Sequence, residues 1–346
     1  MLGSITLIGT AADKSSQIDE LVLKHVDAKT PGAAVLVIKD GKKVFEKGYG
    51  LANIDKAIPI RPNTLFELAS CSKQFTAMAI MMLAEHKKLD YDDRLGKYFP
   101  EFHTAAQDIT VEQLLHHTGG LPDYLDAWNA SNTNAPPTSR LMLELVAKRR
   151  KLMFKPGEKY EYSNTGYMVL AQIVEKVSGK KFPEFLKESI FVPLGMSDTL
   201  VFDETHPKLP NRALCYARKG DGFENTSKSE LNAIYGDGSV HSTINDLFKW
   251  DQALYTEKLV NTETLNRAWT EGKTNDGKGT GYGYGFEVGR FMKTREVSHN
   301  GLWLDFHTEI LRLPDKKLTV IVLSNFSKFD SDGIAHKIAA LYLRDE

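Results

Sequence analysis

From Phe75 to Ala84 the chain reads Phe-Thr-Ala-Met-Ala-Ile-Met-Met-Leu-Ala, apolar on nearly every side. A helix of that kind must be covered all round, so other elements have to enclose it. The spacing predicts one long helix over 66–89. Further helical patterns follow at 111–117, 139–152, 166–178 and 183–190, separated by Pro- and Gly-rich turns. The ends of the chain read differently. Ala33 to Ile38 and Lys43 to Tyr49 flank Asp40-Gly41, a hairpin signal. Near the C-terminus, 282–288, 306–313 and 318–323 alternate or run apolar, with Pro314-Asp315-Lys316 as a turn. Helical patterns at 15–29 and 334–343 close the two ends. The economical architecture is α/β in the α+β sense: one antiparallel sheet flanked by N- and C-terminal helices, with an inserted all-α subdomain. A length of 346 residues exceeds what one growing core usually holds. Two subdomains are therefore expected: a sheet unit from 13–75 and 236–346, and a helical unit from 76–235.

Ser70-Cys71-Ser72-Lys73 stands at the head of the apolar run. Residues three apart share a helix face, so Ser70 and Lys73 present hydroxyl and amine side by side. A serine hydroxyl becomes a nucleophile when a neighbouring base takes its proton, and burial can lower a lysine pKa enough for that task. The tetrad alone is weak, because chance supplies about one in a chain of this length. A second copy, Ser178-Gly179-Lys180-Lys181, carries a helix-ending glycine and reads as a solvated terminus. Cys71 lies about 100° off the Ser70–Lys73 face and reads as core packing. Two later motifs complete the set. Tyr162-Ser163-Asn164 lies on a loop before a helix, where Tyr162 can share a proton with a lysine while Ser163 or Asn164 caps the helix. His299-Asn300-Gly301 precedes an alternating run from Trp303, and its glycine allows a close approach to a strand edge. His117-Thr118-Gly119 is a similar tripeptide in loop context, which favours His299.

The remaining chemistry is bounded by absences. There is no His-Glu-x-x-His, Cys-x-x-Cys or Gly-x-Ser-x-Gly, and Gly277 to Gly285 lacks phosphate-loop spacing. No cofactor and no metal are expected. The net charge is −1, and the longest basic run, Lys148 to Lys151, reads as a helix C-terminus rather than a nucleic-acid footprint. Two cysteines do not make a disulfide framework, so Cys71 and Cys215 are expected to be free. No apolar stretch is long enough to span a bilayer. Met1 to Ala12 lacks a cationic n-region and is a poor signal peptide.

Taken together, these residues resemble the serine β-lactamase and penicillin-binding protein family, in the branch of class C β-lactamases, D-alanyl carboxypeptidases, D-aminopeptidases and related esterases. The resemblance runs from about Val35 to Asn325. It includes Phe66 to Lys73, Leu114 to Leu121, Tyr162 to Tyr167, Pro193 to Met196, Gly238 to Thr243 with Asp246-Leu247, and Leu323 to Asn325. It implies that Ser70 attacks a carbonyl, that Lys73 and Tyr162 act as a coupled base and acid, and that Asn164 hydrogen-bonds the acyl side chain. It further implies an oxyanion hole from the backbone N–H groups of Ser70 and Leu302, with His299, Asn300 and Gly301 on the substrate. Two departures stand out. Class C β-lactamases carry Lys-Thr-Gly where this chain has His299-Asn300-Gly301, and a histidine partly charged near pH 7 holds a β-lactam carboxylate less well. Asp305 occupies a position where relatives usually have glycine. The expectation is a serine hydrolase acting through an acyl-Ser70 intermediate on a small-molecule ester, a D-amino-acid amide or, less readily, a lactam. The alternatives are a class C-type β-lactamase and a catalytically silent binding or sensing module. Residues 122–140 and 203–235 are the candidate roof of the pocket. Oligomeric state is open. The resemblance suggests a periplasmic or secreted location, and the weak leader leaves a cytoplasmic one open.

Overall fold

The computed structural model describes residues 11–131, 133–202, 209 and 211–344. The leader read at Met1 to Ala12 therefore lies almost wholly outside the described residues, as do 203–208 and 210 of the second roof segment. The elements that position the site are, in chain order, α1 (Ala11–Leu23), β1 (Ala33–Lys39), β2 (Lys42–Tyr49), β3 (Phe66–Glu67), α2 (Lys73–Glu85), α3 (Val111–Leu115), α4 (Tyr124–Asn129), α5 (Ser139–Ala147), α6 (Asn164–Ser178), β4 (Val240–Ser242), α7 (Ile244–Ala253), β5 (Glu287–Phe291), β6 (Thr294–Trp303), β7 (Phe306–Leu313), β8 (Leu318–Ser324) and α8 (Ser331–Leu343).

The main sheet is antiparallel throughout, in the order β5-β6-β7-β8-β1-β2. Val35 pairs with Val322 and His299 with Ile310. Both chain ends thus build one sheet. β1 is apolar at nearly every position because both of its faces are covered. Ala34, Leu36 and Ile38 join the core under the helical block. Ala33, Val35 and Val37 join a second core beneath α1 and α8. Successive strand residues point to opposite faces, so one short run serves two cores.

The apolar run Phe75 to Ala84 is α2, buried except for its last turn and packed most closely against α6. The predicted helix over 66–89 is shorter than expected. Phe66 and Glu67 form β3, paired with Ser242 and His241, and Ala69–Ser72 is a single tight turn before α2 starts at Lys73. A strand of two residues leaves no periodicity to read. Residues 282–286, expected as strand, are coil, and the strand begins at Glu287. His299 sits inside β6 rather than ahead of a strand. The basic run after Ala147 follows the end of α5, as expected of cations at a helix C-terminus. Both thiols are free and buried. The larger core runs without a break from the sheet into the helical block. The division at 75/76 and 235/236 is accordingly a proposal about how the chain is organised.

Candidate active site

Ser70 lies in the turn between β3 and α2, and three neighbours fix that turn. The Thr308 hydroxyl on β7 donates to Leu68 O at 2.8 Å. The Cys71 thiol donates to His299 O at 2.9 Å, which gives Cys71 the packing role read from its position. On the other side Leu68 N donates to Val240 O, and Val240 N to the Ser72 hydroxyl, at 2.8 and 3.1 Å. Ala69, just before Ser70, has φ +48°. That left-handed conformation costs a non-glycine residue on the order of 1–2 kcal/mol. Gly301 completes the seat, since a Cβ there would stand 2.3 Å from both Leu68 O and Thr308 Oγ1. The glycine of the third motif thus lets β6 lie directly against the turn that carries Ser70.

Lys73 is fully buried, and its ammonium has three acceptors. Nζ donates to Ser70 Oγ at 3.0 Å, to Asn164 Oδ1 at 2.9 Å and to the backbone carbonyl of Asp237 at 2.9 Å. It also lies over the Tyr162 ring, 4.7 Å from its centre. Burial lowers the Lys73 pKa to about 8, against an opposing pull from the Asp237 carboxylate. Tyr162 hydrogen-bonds Ser70, and loss of solvent around its hydroxyl raises its pKa well above the usual phenol value although the ring is 39% exposed. Lysine, serine and tyrosine therefore meet at one point, brought there from α2 and from the loop before α6. Ser163 caps α6 by accepting from Gly166 N, while Asn164 turns to Lys73. The cap and the contact with Lys73 are thus made by neighbouring residues of the second motif.

The third motif departs from expectation in two respects. His299 is 1% exposed and both ring nitrogens are engaged, Nε2 with the Tyr282 hydroxyl at 2.8 Å and Nδ1 with Asn300 O at 2.6 Å. Burial, with repulsion from Lys73, lowers its pKa to about 3. The ring is neutral, so Nδ1–H donates to the carbonyl and Nε2 accepts from Tyr282. The expectation of a histidine partly charged near pH 7 is thereby corrected. Asn300 pairs with Glu309 in the sheet, and strand alternation turns its side chain to the face opposite His299 and Gly301.

Ser70 and Leu302 both line a cleft of about 40 Å³, room for a few waters or one small group. Tyr124, Leu231 and Ile234 also line it, so both expected roof segments contribute. A larger cavity of about 850 Å³, beside Gln172 and Lys181, contains none of the motif residues. Of the candidate site residues, Ser70, Asn164 and Leu302 line the smaller cleft. Asp305 accepts a hydrogen bond from Thr226, tying the β6–β7 turn to the loop beyond Cys215. Four contributors were missed in the sequence. Glu67 and Asp237 line the cleft. Tyr282 holds His299. His117, set aside as a decoy, stacks 4.4 Å from the Tyr162 ring and accepts from Ser163 N at 3.1 Å. Gly236-Asp237-Gly238 was the available signal, an acid isolated between two glycines. Among the described residues no cluster suited to a metal ion occurs, and no helix is long and apolar enough to cross a membrane.

Residues 18–344 match the Beta-lactamase family model, and the chain belongs to that family of serine hydrolases. It is 36% identical over 310 residues to penicillin-binding protein 4* of Bacillus subtilis, an alignment covering 84% of this chain and 67% of the relative. It is 29% identical to protein flp of Staphylococcus aureus over 91% of this chain and 64% of that protein. The chain thus spans about two thirds of these relatives' own length. The octameric penicillin-binding protein homologue of Pyrococcus abyssi superposes with a TM-score of 0.83 at 31% identity, covering 96% of this chain and 77% of that one. A D-amino acid amidase of Ochrobactrum anthropi shares the fold, with a TM-score of 0.79 at 23% identity over 96% of this chain and 98% of that one.

Proposed function

We propose that the chain hydrolyses small esters or D-amino-acid amides through an acyl-Ser70 intermediate, with Lys73 as base, Tyr162 as acid and the backbone N–H groups of Ser70 and Leu302 as oxyanion donors. The observation that carries this reading is the set of acceptors around Lys73. Neutral Nζ keeps two protons, which Asn164 Oδ1 and the Asp237 carbonyl accept. Its lone pair is then left facing Ser70 Oγ, 3.0 Å away. The Ser70 proton passes to Nζ as Oγ bonds to the carbonyl carbon. The carbonyl electrons move onto oxygen, where two backbone donors are worth ~3–4 kcal/mol each. As the bond to the leaving group breaks, that group takes a proton from Tyr162, which Lys73 replenishes. Water repeats the cycle on the acyl-enzyme and frees Ser70. The raised Tyr162 pKa keeps the phenol protonated and so supports it as acid, while the lowered Lys73 pKa supports the amine as base.

Neutral His299 supports esters and amides over β-lactams, because it offers no positive charge to a lactam carboxylate. Intact Lys73 and Tyr162 weigh against a silent binding module. A panel of p-nitrophenyl esters, D-alanine amide and a chromogenic cephalosporin, run on wild type and Ser70→Ala, tests the reading. Ester or amide turnover should be lost with Ser70 and exceed cephalosporin turnover. Cephalosporin hydrolysis at ~10 per second or more would make it a β-lactamase instead. Activity surviving in Ser70→Ala would remove Ser70 from the mechanism.

A further inference from the structure

Tyr162 carries the acid role in the reading above, and one residue outside that mechanism grips it from both sides. Tyr162 is partly exposed, yet its hydroxyl has to stay on Ser70. His117 follows the end of α3 and reaches the Tyr162 segment at three points. Its backbone carbonyl accepts from Glu161 N at 3.0 Å. Its Nδ1 accepts from Ser163 N at 3.1 Å. Its ring lies 4.4 Å from the Tyr162 ring, tilted by 38°. The residues before and after Tyr162 are thus tied to His117, and the side chain between them rests on the imidazole.

His117 is itself fixed. It is buried, with the Tyr282 and Tyr167 rings 4.4 and 5.0 Å from its own. Its φ is +57°, a conformation that residues other than glycine rarely adopt. Such outliers persist where the surroundings hold them, and they gather at functional sites. Here His117 N donates to Leu114 O at 3.3 Å and Thr118 N to Gln113 O at 2.8 Å, so the end of α3 imposes the turn. Burial, with repulsion from Lys73 and His299, holds the His117 pKa well below its ordinary 6.5. The neutral ring keeps a lone pair on Nδ1 for the Ser163 N–H, and its proton is then on Nε2. Nε2 is buried without a hydrogen-bond partner. A buried orphan donor costs stability. A phenyl ring would stack on Tyr162 without that cost, so the feature the imidazole adds is the bond to Ser163.

We propose that His117 is a positioning residue for Tyr162: it holds the phenol where it can give its proton to the departing group, and so sets how poor a leaving group the chain can expel. This rests on the serine-hydrolase reading above, with Tyr162 as acid. A group that is a stable anion near neutral pH, such as p-nitrophenolate, leaves the tetrahedral intermediate with the C–O electron pair and needs no proton. An alkoxide takes that pair and the Tyr162 proton together, and Lys73 then restores the phenol. A Tyr162 ring free to swing toward solvent would leave the attack of Ser70 intact, because Lys73 is the base. It would fail at the departure of an alkoxide. His117 therefore extends the substrates from activated esters to alkyl esters and amides.

The test compares ethyl propionate with p-nitrophenyl propionate, which deliver the same acyl group and differ in the leaving group. Both need Ser70, Lys73 and the oxyanion donors, so damage to those, or loss of folded protein, cancels in the ratio of the two kcat/KM values. His117→Phe keeps a ring beside Tyr162 and removes the Ser163 acceptor. It should lose at least ~10-fold more with the ethyl ester than with the p-nitrophenyl ester. His117→Asn keeps an acceptor and suits a left-handed backbone, and should recover part of that loss. Tyr162→Phe should show the selective loss in full. A folded His117→Phe with the wild-type ratio overturns the proposal, and so does an Asn variant no better than the Phe variant. If circular dichroism shows that only His117→Asn folds, its ratio decides: a selective fall supports the proposal and an unchanged ratio overturns it. A selective loss in Tyr162→Phe without one in the His117 variants makes the positioning argument fail alone. If Tyr162→Phe loses both esters equally, or the wild type does not hydrolyse ethyl propionate, Tyr162 is not the acid and both readings fall.

Discussion

Replacing Lys73 with methionine is expected to lower kcat/KM for a small ester by ~10²–10⁴, the usual contribution of a positioned base. Methionine fills a similar volume but cannot take the Ser70 proton. Lys73→Arg is expected to be nearly as inactive. It keeps the positive charge, yet a guanidinium does not deprotonate in proteins. A fall in the methionine variant with retention in the arginine variant would assign Lys73 an electrostatic role and remove it as base. The pH profile gives the same assignment a sign. The active form is the neutral amine, and burial has brought the Lys73 pKa from its ordinary 10.5 to about 8. Activity should therefore rise with pH through about 8 and fall roughly tenfold per unit below it. At pH 7 roughly a tenth of the free enzyme holds the neutral lysine. An unchanged rate from pH 6 to 9 would contradict this.

Asp251→Asn is expected to cost ~3–5 kcal/mol of stability, the usual penalty for stripping the partner from a buried ion. Asp251 on α7 is 1% exposed, and its Oδ1 accepts from Arg312 Nε at 2.8 Å and from the Thr319 hydroxyl at 2.7 Å. Arg312 on β7 has no solvent exposure, and its two terminal nitrogens lack hydrogen-bond partners. Its guanidinium lies over the Tyr255 and Trp269 rings, 4.8 and 5.1 Å from their centres. The aromatic faces soften the cost of burial, but the neutralising charge is Asp251. Urea unfolding measures the loss. The pair Asp251→Leu with Arg312→Met removes both charges and should recover most of it, because an apolar replacement of a buried ion pair is often neutral or better. A single-variant loss below ~1 kcal/mol would show that the rings alone carry the charge.

Those two positions show how unevenly the sequence reveals its structure. The hairpin around Asp40-Gly41 and the buried α2 were legible because their patterns are local and long enough to carry a period. The meeting of Ser70 with Lys73 was legible because the two are three residues apart, although the turn that carries Ser70 was read as part of a longer helix. β3 was not, because its two residues become a strand only through pairing with Ser242 and His241, far along the chain. Tyr282 was read as strand from its alternating neighbours, whereas it crosses to hold His299. The third motif was found by its residue types, but the protonation of His299 depends on burial that no local pattern records. The facing of Asn300 depends on register, which a tripeptide does not specify. Asp237 belongs to none of the motifs. Its importance comes from Tyr124 and Lys73, contributed by two other parts of the chain, and such a meeting is a property of the fold.

The most direct measurement is intact-mass analysis with peptide mapping after treatment with a fluorophosphonate, on wild type and Ser70→Ala. One adduct on Ser70 in the wild type, absent from the variant, is the predicted result. An unlabelled wild type, or an adduct that persists without Ser70, would contradict the assignment of Ser70 as the nucleophile and with it the mechanism built on Lys73.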